Sequence, residues 1–191
     1  MLFKQPGFTV VVVLTLALGI GLNTAVFSVA DAVLFRPLPF TEPERLVEVY
    51  QYEQGSHFSY PGLRWDAFQQ WRGQSEVFEQ IEAYDQRTLT LTGGREPESF
   101  SATPAVSPGL FAMLGVRPQL GRLFQPEEAQ PGNGRVVLIG HEFWQSHFGG
   151  QRDALGKTLT LNDQPYTVIG VMPPKFKFPY GKFQLWTPLT M

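Results

Sequence analysis

The sequence predicts an α+β domain with a mixed sheet, preceded by one long apolar helix. Three observations support this fold class. The first 30 residues contain an uncharged apolar run, the later residues interleave strand-like and helix-like patterns, and two pairs of strands are separated by short turns typical of hairpins. Interleaved strands and helices that include hairpins indicate one sheet with helices packed on it.

The composition excludes several classes of protein. The chain has 191 residues, of which 43% are hydrophobic and 14% aromatic, enough for one domain with a substantial core. The formal net charge is −2 and no segment is strongly basic, so we expect no nucleic-acid partner. The chain contains no cysteine, which excludes disulfides, cysteine-ligated zinc and thiol catalysis.

An uncharged apolar segment runs from Phe8 to Ala30. As a helix it would be roughly 34 Å long, enough to cross the core of a bilayer. Lys4 and the terminal amine are the only positive groups before it, which favours a cytoplasmic N-terminus and places the rest of the chain outside the inner membrane. We therefore predict a transmembrane helix region over residues 1–34 and a second domain over residues 35–191.

Two alternatives for this segment stay open. A signal peptide would end in an Ala-x-Ala-like site, and Ala30-Asp31-Ala32 has that pattern. However, the apolar run before this site is longer than in a usual signal peptide, and Val33-Leu34-Phe35 continues it. The other alternative is a buried core helix, although soluble helices rarely run this long without a polar face.

The remaining sequence divides into short elements. Pro37 and Pro39 end the first helical region, because proline has a fixed φ and no N–H, and it disfavours the helical conformation of the residue before it. The patterns then predict strands over Arg45–Tyr52, Thr88–Thr92, Glu96–Val106, Arg135–Gly140, Thr158–Leu161 and Tyr166–Val171, and helices over Pro61–Arg72, Ser107–Gly115 and His141–Phe148.

Local signals fix some of the boundaries. We expect turns at Gly93-Gly94 and at Asn162-Asp163, each joining two strands into a hairpin. Ser107 is the expected N-cap of the middle helix, and Gly115 is placed to end it.

The segment Gly149–Thr158 ends in Gly-Lys-Thr, as a phosphate-binding loop does. Such a loop requires a glycine five residues before Gly156, a position that Gln151 occupies here. It must also lead into a helix, whereas Lys157 leads into a predicted strand. We therefore expect a structural loop with glycines at turn positions, and no bound nucleotide.

The segment from His141 to His147 resembles the helix of a zinc peptidase. In that motif two histidines four residues apart lie on one face. Six residues correspond to roughly 240° around the helix, so these two side chains point to different sides and cannot bind one ion. The third histidine, His57, has no metal-binding residues near it in the sequence.

No other segment supports a catalytic or cofactor site. Gly19-Ile-Gly21 matches only part of a dinucleotide fingerprint, because Thr24 stands where a third glycine is needed. The Gly-x-Ser-x-Gly elbow of serine hydrolases is absent. We predict no catalytic, cofactor-binding or metal-binding residue and no enzymatic activity, with an NTPase or a peptidase as the enzyme alternative.

Several long stretches of the chain resemble MacB/FtsX-like ABC transporter permeases, most closely the duplicated orphan permease branch. They cover most of the chain in the order found in the family. The stretches are Leu14–Phe40, Val106–Phe124, Val136–Gly150 and Leu155–Pro174, and Leu185-Trp-Thr-Pro-Leu189 resembles the end of the same domain.

The resemblance implies one transmembrane helix in the bacterial inner membrane, followed by a MacB-like periplasmic core domain of α+β type. It also implies a cytoplasmic ABC ATPase partner, other permease segments, a possible permease dimer, and a role in efflux or mechanotransmission. In the family three more membrane helices follow this domain, so a chain that ends at Met191 resembles a fragment without them. The family usually has a basic stretch before the first span, where this chain has only Lys4.

A stand-alone extracytoplasmic binding or sensor module is the alternative function. In that case Trp65, Trp71 and Trp144 would contribute to a partner surface. Core packing is the simpler role for each of them.

Overall fold

The structure is a computed structural model that describes residues 6–30, 40–49, 65–74, 76–93, 97–179, 181 and 183–190. The chain divides into two compact units, Met1–Pro39 and Phe40–Met191. The boundary predicted between residues 34 and 35 lies outside the described residues, so it stays a prediction.

The described part of the first unit is one helix, α1 (Pro6–Ala30), which is 25 residues long. It confirms the helix predicted over Phe8–Ala30 and begins two residues earlier. Proline suits this first position because its fixed φ is helical and its missing N–H would have no partner there.

The described part of the second unit contains three helices, three single 3₁₀ turns and seven strands. The 3₁₀ turns are Pro43–Arg45, Pro126–Ala129 and Arg152–Ala154. The helices are α2 (Trp65–Gln74), α3 (Leu110–Met113) and α4 (His141–Phe148), and the strands are β1 (Tyr84–Leu91), β2 (Glu98–Val106), β3 (Leu120–Gly121), β4 (Val136–Ile139), β5 (Thr158–Leu161), β6 (Gln164–Val171) and β7 (Leu185–Pro188).

The seven strands form one mixed sheet that closes on itself. Their order is β3-β6-β4-β7-β2-β1-β5, and β5 also pairs with β6, so six strands form a ring with β3 added on β6. The pairs β2–β7 and β4–β6 are parallel, and the others are antiparallel. A closed sheet leaves fewer strand edges open to other chains. The predicted α+β class with a mixed sheet is confirmed.

Side chains of the sheet pack into two hydrophobic clusters on opposite faces. Along β4, Val137 and Ile139 face the cluster under α4, whereas Leu138 faces the cluster under α3. This alternation follows from the two-residue period of a strand. We call them the α4 cluster (Leu89, Leu91, Val137, Ile139, Phe143, Trp144, Ala154, Leu159, Leu161, Val168, Val171 and Leu185) and the α3 cluster (Val106, Leu110, Phe111, Leu114, Val116, Phe124, Leu138, Met172, Phe178 and Trp186).

Most of the predicted elements are confirmed. The two hairpins are β1–β2 and β5–β6, and the second turns at Asn162 and Asp163, whose φ angles of 48° and 60° suit a tight hairpin. The helix predicted over His141–Phe148 has those bounds, and the strand predicted over Arg135–Gly140 corresponds to β4. The helix predicted over Pro61–Arg72 is confirmed from Trp65 onward, and its first four residues lie outside the described ones.

The strand predicted over Arg45–Tyr52 is wrong for residues 45–49. Arg45 ends a 3₁₀ turn, and no strand is assigned to the four residues after it. Leu46 packs against the α3 cluster, but Val47 and Val49 are 66% and 42% exposed. Leu46 is therefore anchored on the α3 cluster without being part of the sheet. Residues 50–52 lie outside the described part of the chain.

The prediction of Ser107 as an N-cap is also wrong. α3 begins after Gly109, and the buried Ser107 hydroxyl instead accepts a hydrogen bond from the backbone N–H of Ala83 at 2.9 Å and donates to Glu82. The serine thus bonds to the residues before β1. Gly115 has φ 70° just beyond α3, which agrees with its predicted place after the helix.

Candidate functional site

The most distinctive surface in the described structure is the apolar surface of α1. Gly7–Ser28 has a mean hydropathy of 2.3 and none of it is buried. Leu18 and Leu22, for example, are 73% and 70% exposed. Soluble monomers rarely expose a continuous apolar surface of this extent. The alternative of a buried core helix is therefore wrong, and the segment is long and apolar enough to cross a membrane.

Two threonines of α1 satisfy their hydroxyl groups within the helix. Thr15 donates to the carbonyl oxygen of Val11, and Thr24 donates to that of Ile20, each at 2.8 Å. A hydroxyl bonded to the carbonyl one turn earlier brings no unsatisfied donor into a bilayer. The carboxamide of Asn23 is exposed and has no hydrogen-bond partner among the described residues. Asn23 is therefore a polar group within the apolar part of α1 that still needs a partner.

The segment Gly149–Thr158 is a loop that leads into a strand, as predicted. Nζ of Lys157 donates to Asp153 at 2.8 Å and lies 5.8 Å from the centre of the Phe148 ring. Thr158 begins β5, so no helix N-terminus follows the Gly-Lys-Thr. A phosphate loop needs that helix to present its backbone N–H groups.

The two histidines of α4 have separate surroundings. His141 Nδ1 lies 2.9 Å from a glutamine side-chain oxygen. His147 stacks on Phe143 with ring centres 3.9 Å apart, and its Nε2 lies 3.2 Å from Glu98. Among the described residues, no three or more histidine, aspartate or glutamate side chains lie close enough to hold a metal ion. His57 lies outside those residues.

Two of the three tryptophans considered for a partner surface can be described. Trp144 is 6% exposed in the α4 cluster, and its Nε1 donates to the carbonyl oxygen of Gln151 at 2.8 Å. The core role is therefore confirmed for Trp144. Trp71, on α2, is 38% exposed. Trp65 begins α2, and its side chain lies outside the described ones.

A buried carboxylate joins α2 to the start of the sheet. The side chain of Glu82 is only 2% exposed and accepts hydrogen bonds from Ser107 and, at 2.9 Å, from Gln80. The guanidinium of Arg72, on α2, lies 3.9 Å from the same carboxylate. Hydrogen bonds from two donors satisfy a buried charge, so this cluster is a structural tie.

A second ion pair fixes the loop after β3. Arg122 donates to both carboxylate oxygens of Glu128, at 2.6 and 3.1 Å, and the N–H of Gln125 donates to the same carboxylate at 2.8 Å. The hydrogen bond to Glu128 raises the pKa of Arg122 above its ordinary value, and partial burial opposes this. The bidentate geometry holds the 3₁₀ turn Pro126–Ala129 in place.

A shallow groove of about 190 Å³ lies beside β2 and the residues before β7. β2 and β7 pair with each other only at Ala105 and Val106 of β2, near their C-terminal ends. Along the groove β2 pairs with β1 and not with β7. The groove offers hydroxyl, amide and aromatic groups but no charged side chain. It is lined by Ser99, Phe100, Ser101, Thr103, Phe183 and Gln184.

Comparison with known proteins identifies the domain. Residues 9–191 match the family of MacB-like periplasmic core domains. No curated protein matches the chain. It is similar to the extracellular domain of the noncanonic ABC-type transporter YknZ from Gram-positive bacteria, with 20% identity and a TM-score of 0.48 over 60% of this chain and 56% of that chain.

A second similar structure is the periplasmic region of MacB from Actinobacillus actinomycetemcomitans. It shares 21% identity and has a TM-score of 0.41 over 56% of this chain and 46% of that chain. The matched part is thus about half the length of these two solved chains. The family match, in contrast, begins inside α1 and extends to the last residue. The chain therefore belongs to the family of MacB-like periplasmic core domains, as its resemblance to MacB/FtsX-like permeases indicated.

Proposed function

We propose that this chain is the membrane-anchored permease segment of an ABC-type transporter. In this proposal α1 crosses the bacterial inner (plasma) membrane, and the unit Phe40–Met191 lies on its periplasmic or extracellular side. One observation carries the proposal. The family match begins at residue 9, inside an apolar helix that is exposed along Gly7–Ser28, so the anchor and the folded domain belong to one matched unit.

The proposed mechanism is conformational and non-catalytic. A cytoplasmic ABC ATPase subunit hydrolyses ATP, and the resulting motion of the membrane segment reaches the folded domain through α1. The chain needs no catalytic residue of its own for this role, because the chemistry takes place on the ATPase. Efflux and mechanotransmission both use such a relay.

The proposal also includes contact between α1 and other permease segments, or a second copy of the chain. The carboxamide of Asn23 is costly to leave unpaired inside a bilayer, because no water is present to bond it. Gly19 lies one turn before it, and a Cβ placed there would meet no atom within 4 Å. Close approach at glycine and a hydrogen bond from asparagine are features of packed membrane helices.

Affinity purification from gently solubilised native membranes tests the partnership. We expect an ABC ATPase and further membrane segments to co-purify with the full chain. A matched bait whose α1 is replaced by an unrelated apolar helix should lose these partners while staying in the membrane. Recovery of the intact chain with no ATPase and no other membrane protein would contradict the proposal and favour the stand-alone binding or sensor module.

A further inference from the structure

The second unit begins with a segment that is docked on the α3 cluster. The N–H of Thr41 donates to the carbonyl oxygen of Leu114 at 3.1 Å. Its side chain fills the space beside Gly115, where an added Cβ would overlap the hydroxyl. The ring of Phe40 meets that of Phe178 edge to face, with centroids 6.2 Å apart. Phe40 and Thr41 are thus held by a hydrogen bond, a close backbone approach and an aromatic contact.

The same aromatic group also holds β7. Phe178 contacts Phe111 edge to face at 6.0 Å, and Phe111 contacts Trp186 of β7 in the same way at 6.3 Å. Trp186 Nε1 also donates to the carbonyl oxygen of Phe178 at 3.1 Å. Beyond β7, the N–H of Leu189 donates to Val106, which belongs to the α3 cluster.

We propose that the α3 cluster is the relay inside the domain, coupling the position of Phe40 and Thr41 to that of β7. Close-packed side chains transmit a displacement because they leave no free volume to absorb it. The role of this relay in transport rests on the proposed function, since a motion of α1 reaches the second unit along the backbone at Phe40. The coupling itself is a property of the folded domain.

The contacts predict a direction for the coupling. Leu159, Leu161 and Val168 of the β5–β6 hairpin pack in the α4 cluster, on the other side of the sheet, whereas Ile169 of the same hairpin packs against the α3 cluster. A disturbance at Phe40 should therefore spread to Trp186 of β7 and leave Val168, on the opposite face of the sheet, unchanged. Spatial contact alone does not establish such a path, whereas a measured energetic coupling does.

Hydrogen exchange of the full chain in detergent micelles measures this coupling. One reporter is the amide of Leu189, and the other is the amide of Val168, which donates to Lys157 at 2.9 Å. Phe40→Leu removes one aromatic pair, so it should speed exchange at Leu189 about 3- to 10-fold and leave Val168 within about twofold.

Phe100→Leu is the matched control. Phe100 is also half-buried and meets one core ring, that of Phe143, edge to face at 5.9 Å, but it packs on the α4 cluster. This variant should show the reverse pattern, with faster exchange at Val168 and little change at Leu189.

Two outcomes with a folded Phe40→Leu chain would overturn the relay: no change at Leu189, or equal acceleration at Leu189 and Val168. If that variant unfolds, Thr41→Ala decides in the same way, because it removes the side chain that fills the space beside Gly115 without touching the aromatic rings. These exchange patterns do not depend on a transport partner. Loss of ATPase co-purification with an intact exchange pattern would therefore contradict the proposed function alone.

Discussion

Asn162 and Thr90 exchange two hydrogen bonds across the closure of the sheet. The N–H of Asn162 donates to the carbonyl oxygen of Thr90, and the N–H of Thr90 donates to Oδ1 of Asn162, each at 2.8 Å. Nδ2 of Asn162 then donates to Thr88 at 3.2 Å. The carboxamide thus continues the pairing of β5 with β1 beyond their single backbone pair, Leu91 with Leu161.

Replacing Asn162 should weaken this closure. Asn162→Gly keeps the left-handed backbone but removes both side-chain hydrogen bonds, which should lower the free energy of unfolding by about 1–2 kcal/mol. Urea denaturation of the full chain in micelles measures the loss. The matched control is Asp163→Gly, a change at the next position of the same turn, where φ is 60°. Equal losses of unfolding free energy in the two variants would show that the turn conformation, and not the carboxamide of Asn162, stabilises the closure.

The Arg122–Glu128 pair should depend on its bidentate geometry. Arg122→Lys keeps the charge but loses the planar fork, so it should destabilise the domain by about 1 kcal/mol. Arg122→Ala should cost somewhat more, because it leaves the buried Glu128 without its ion-pair partner. Thermal or urea unfolding measures both values. A lysine variant as stable as the parent would show that a positive charge at this position stabilises the domain without the bidentate hydrogen bonds.

The stabilisation that the Arg122–Glu128 pair provides should not change as the pH rises above neutrality. The pKa of Arg122 is raised by its hydrogen bond to Glu128, so its contribution is complete below the unfolded-state pKa and is lost only as the pH rises through the folded-state pKa. The difference in unfolding free energy between the parent and Arg122→Ala should therefore stay constant from about pH 7 to about pH 9. A steady fall of this free-energy difference between about pH 7 and about pH 9 would contradict the raised pKa of Arg122.

Lys157 should have no role in nucleotide binding. Its ion pair with Asp153 is exposed and spans four residues, so Lys157→Ala should change stability by less than about 0.5 kcal/mol. Isothermal titration of the purified chain with Mg-ATP should give no binding with either form. ATP turnover that disappears in Lys157→Ala would overturn the structural interpretation of this loop.

Asn23 should contribute to helix contacts in the membrane. Asn23→Leu should weaken co-purification of other membrane segments about 3- to 10-fold, because it removes an interhelical hydrogen bond. Thr24→Val is the control, since that hydroxyl is already bonded to Ile20 within α1. Quantitative mass spectrometry of the co-purified proteins compares the two. An equal effect of both changes, or none from Asn23→Leu, would exclude a specific role for the carboxamide.

Local signals were sufficient for the elements that the sequence predicted well. The Asn162-Asp163 turn has two residues that tolerate positive φ, so the β5–β6 hairpin could be located without knowledge of its neighbours. α4 likewise has a clear end at Gly149, which adopts the left-handed conformation. The same reasoning excluded a phosphate loop, because it depended only on spacing and on the strand that follows.

Tertiary contacts decided the elements that sequence reasoning missed. β7 is a four-residue strand buried on both faces, so Leu185–Pro188 shows no alternation and resembles a loop. β3 has only two residues and exists because Leu120 and Gly121 pair with the end of β6. The closure through Asn162 joins positions 72 residues apart, which no local pattern reports.

The aromatic contacts of the relay were also beyond prediction from sequence. Phe40 precedes Phe178 by more than 130 residues, and neither lies in a helix or strand whose period would place its ring. The exposed apolar helix α1, in contrast, could be predicted in full, because its length and composition are properties of one segment. The family branch and the fragment character of the chain stay predictions.

The most direct test of the account is alkaline carbonate extraction of bacterial membranes that contain the full chain, with N-terminal sequencing of the recovered protein. We predict that the chain stays in the membrane pellet with residues 6–30 intact. Because the chain has no cysteine, a single Asp163→Cys variant should react with a membrane-impermeant maleimide from the periplasmic side. A soluble, processed form that begins near Asp31, as a cleaved signal peptide would leave, would contradict the membrane anchor.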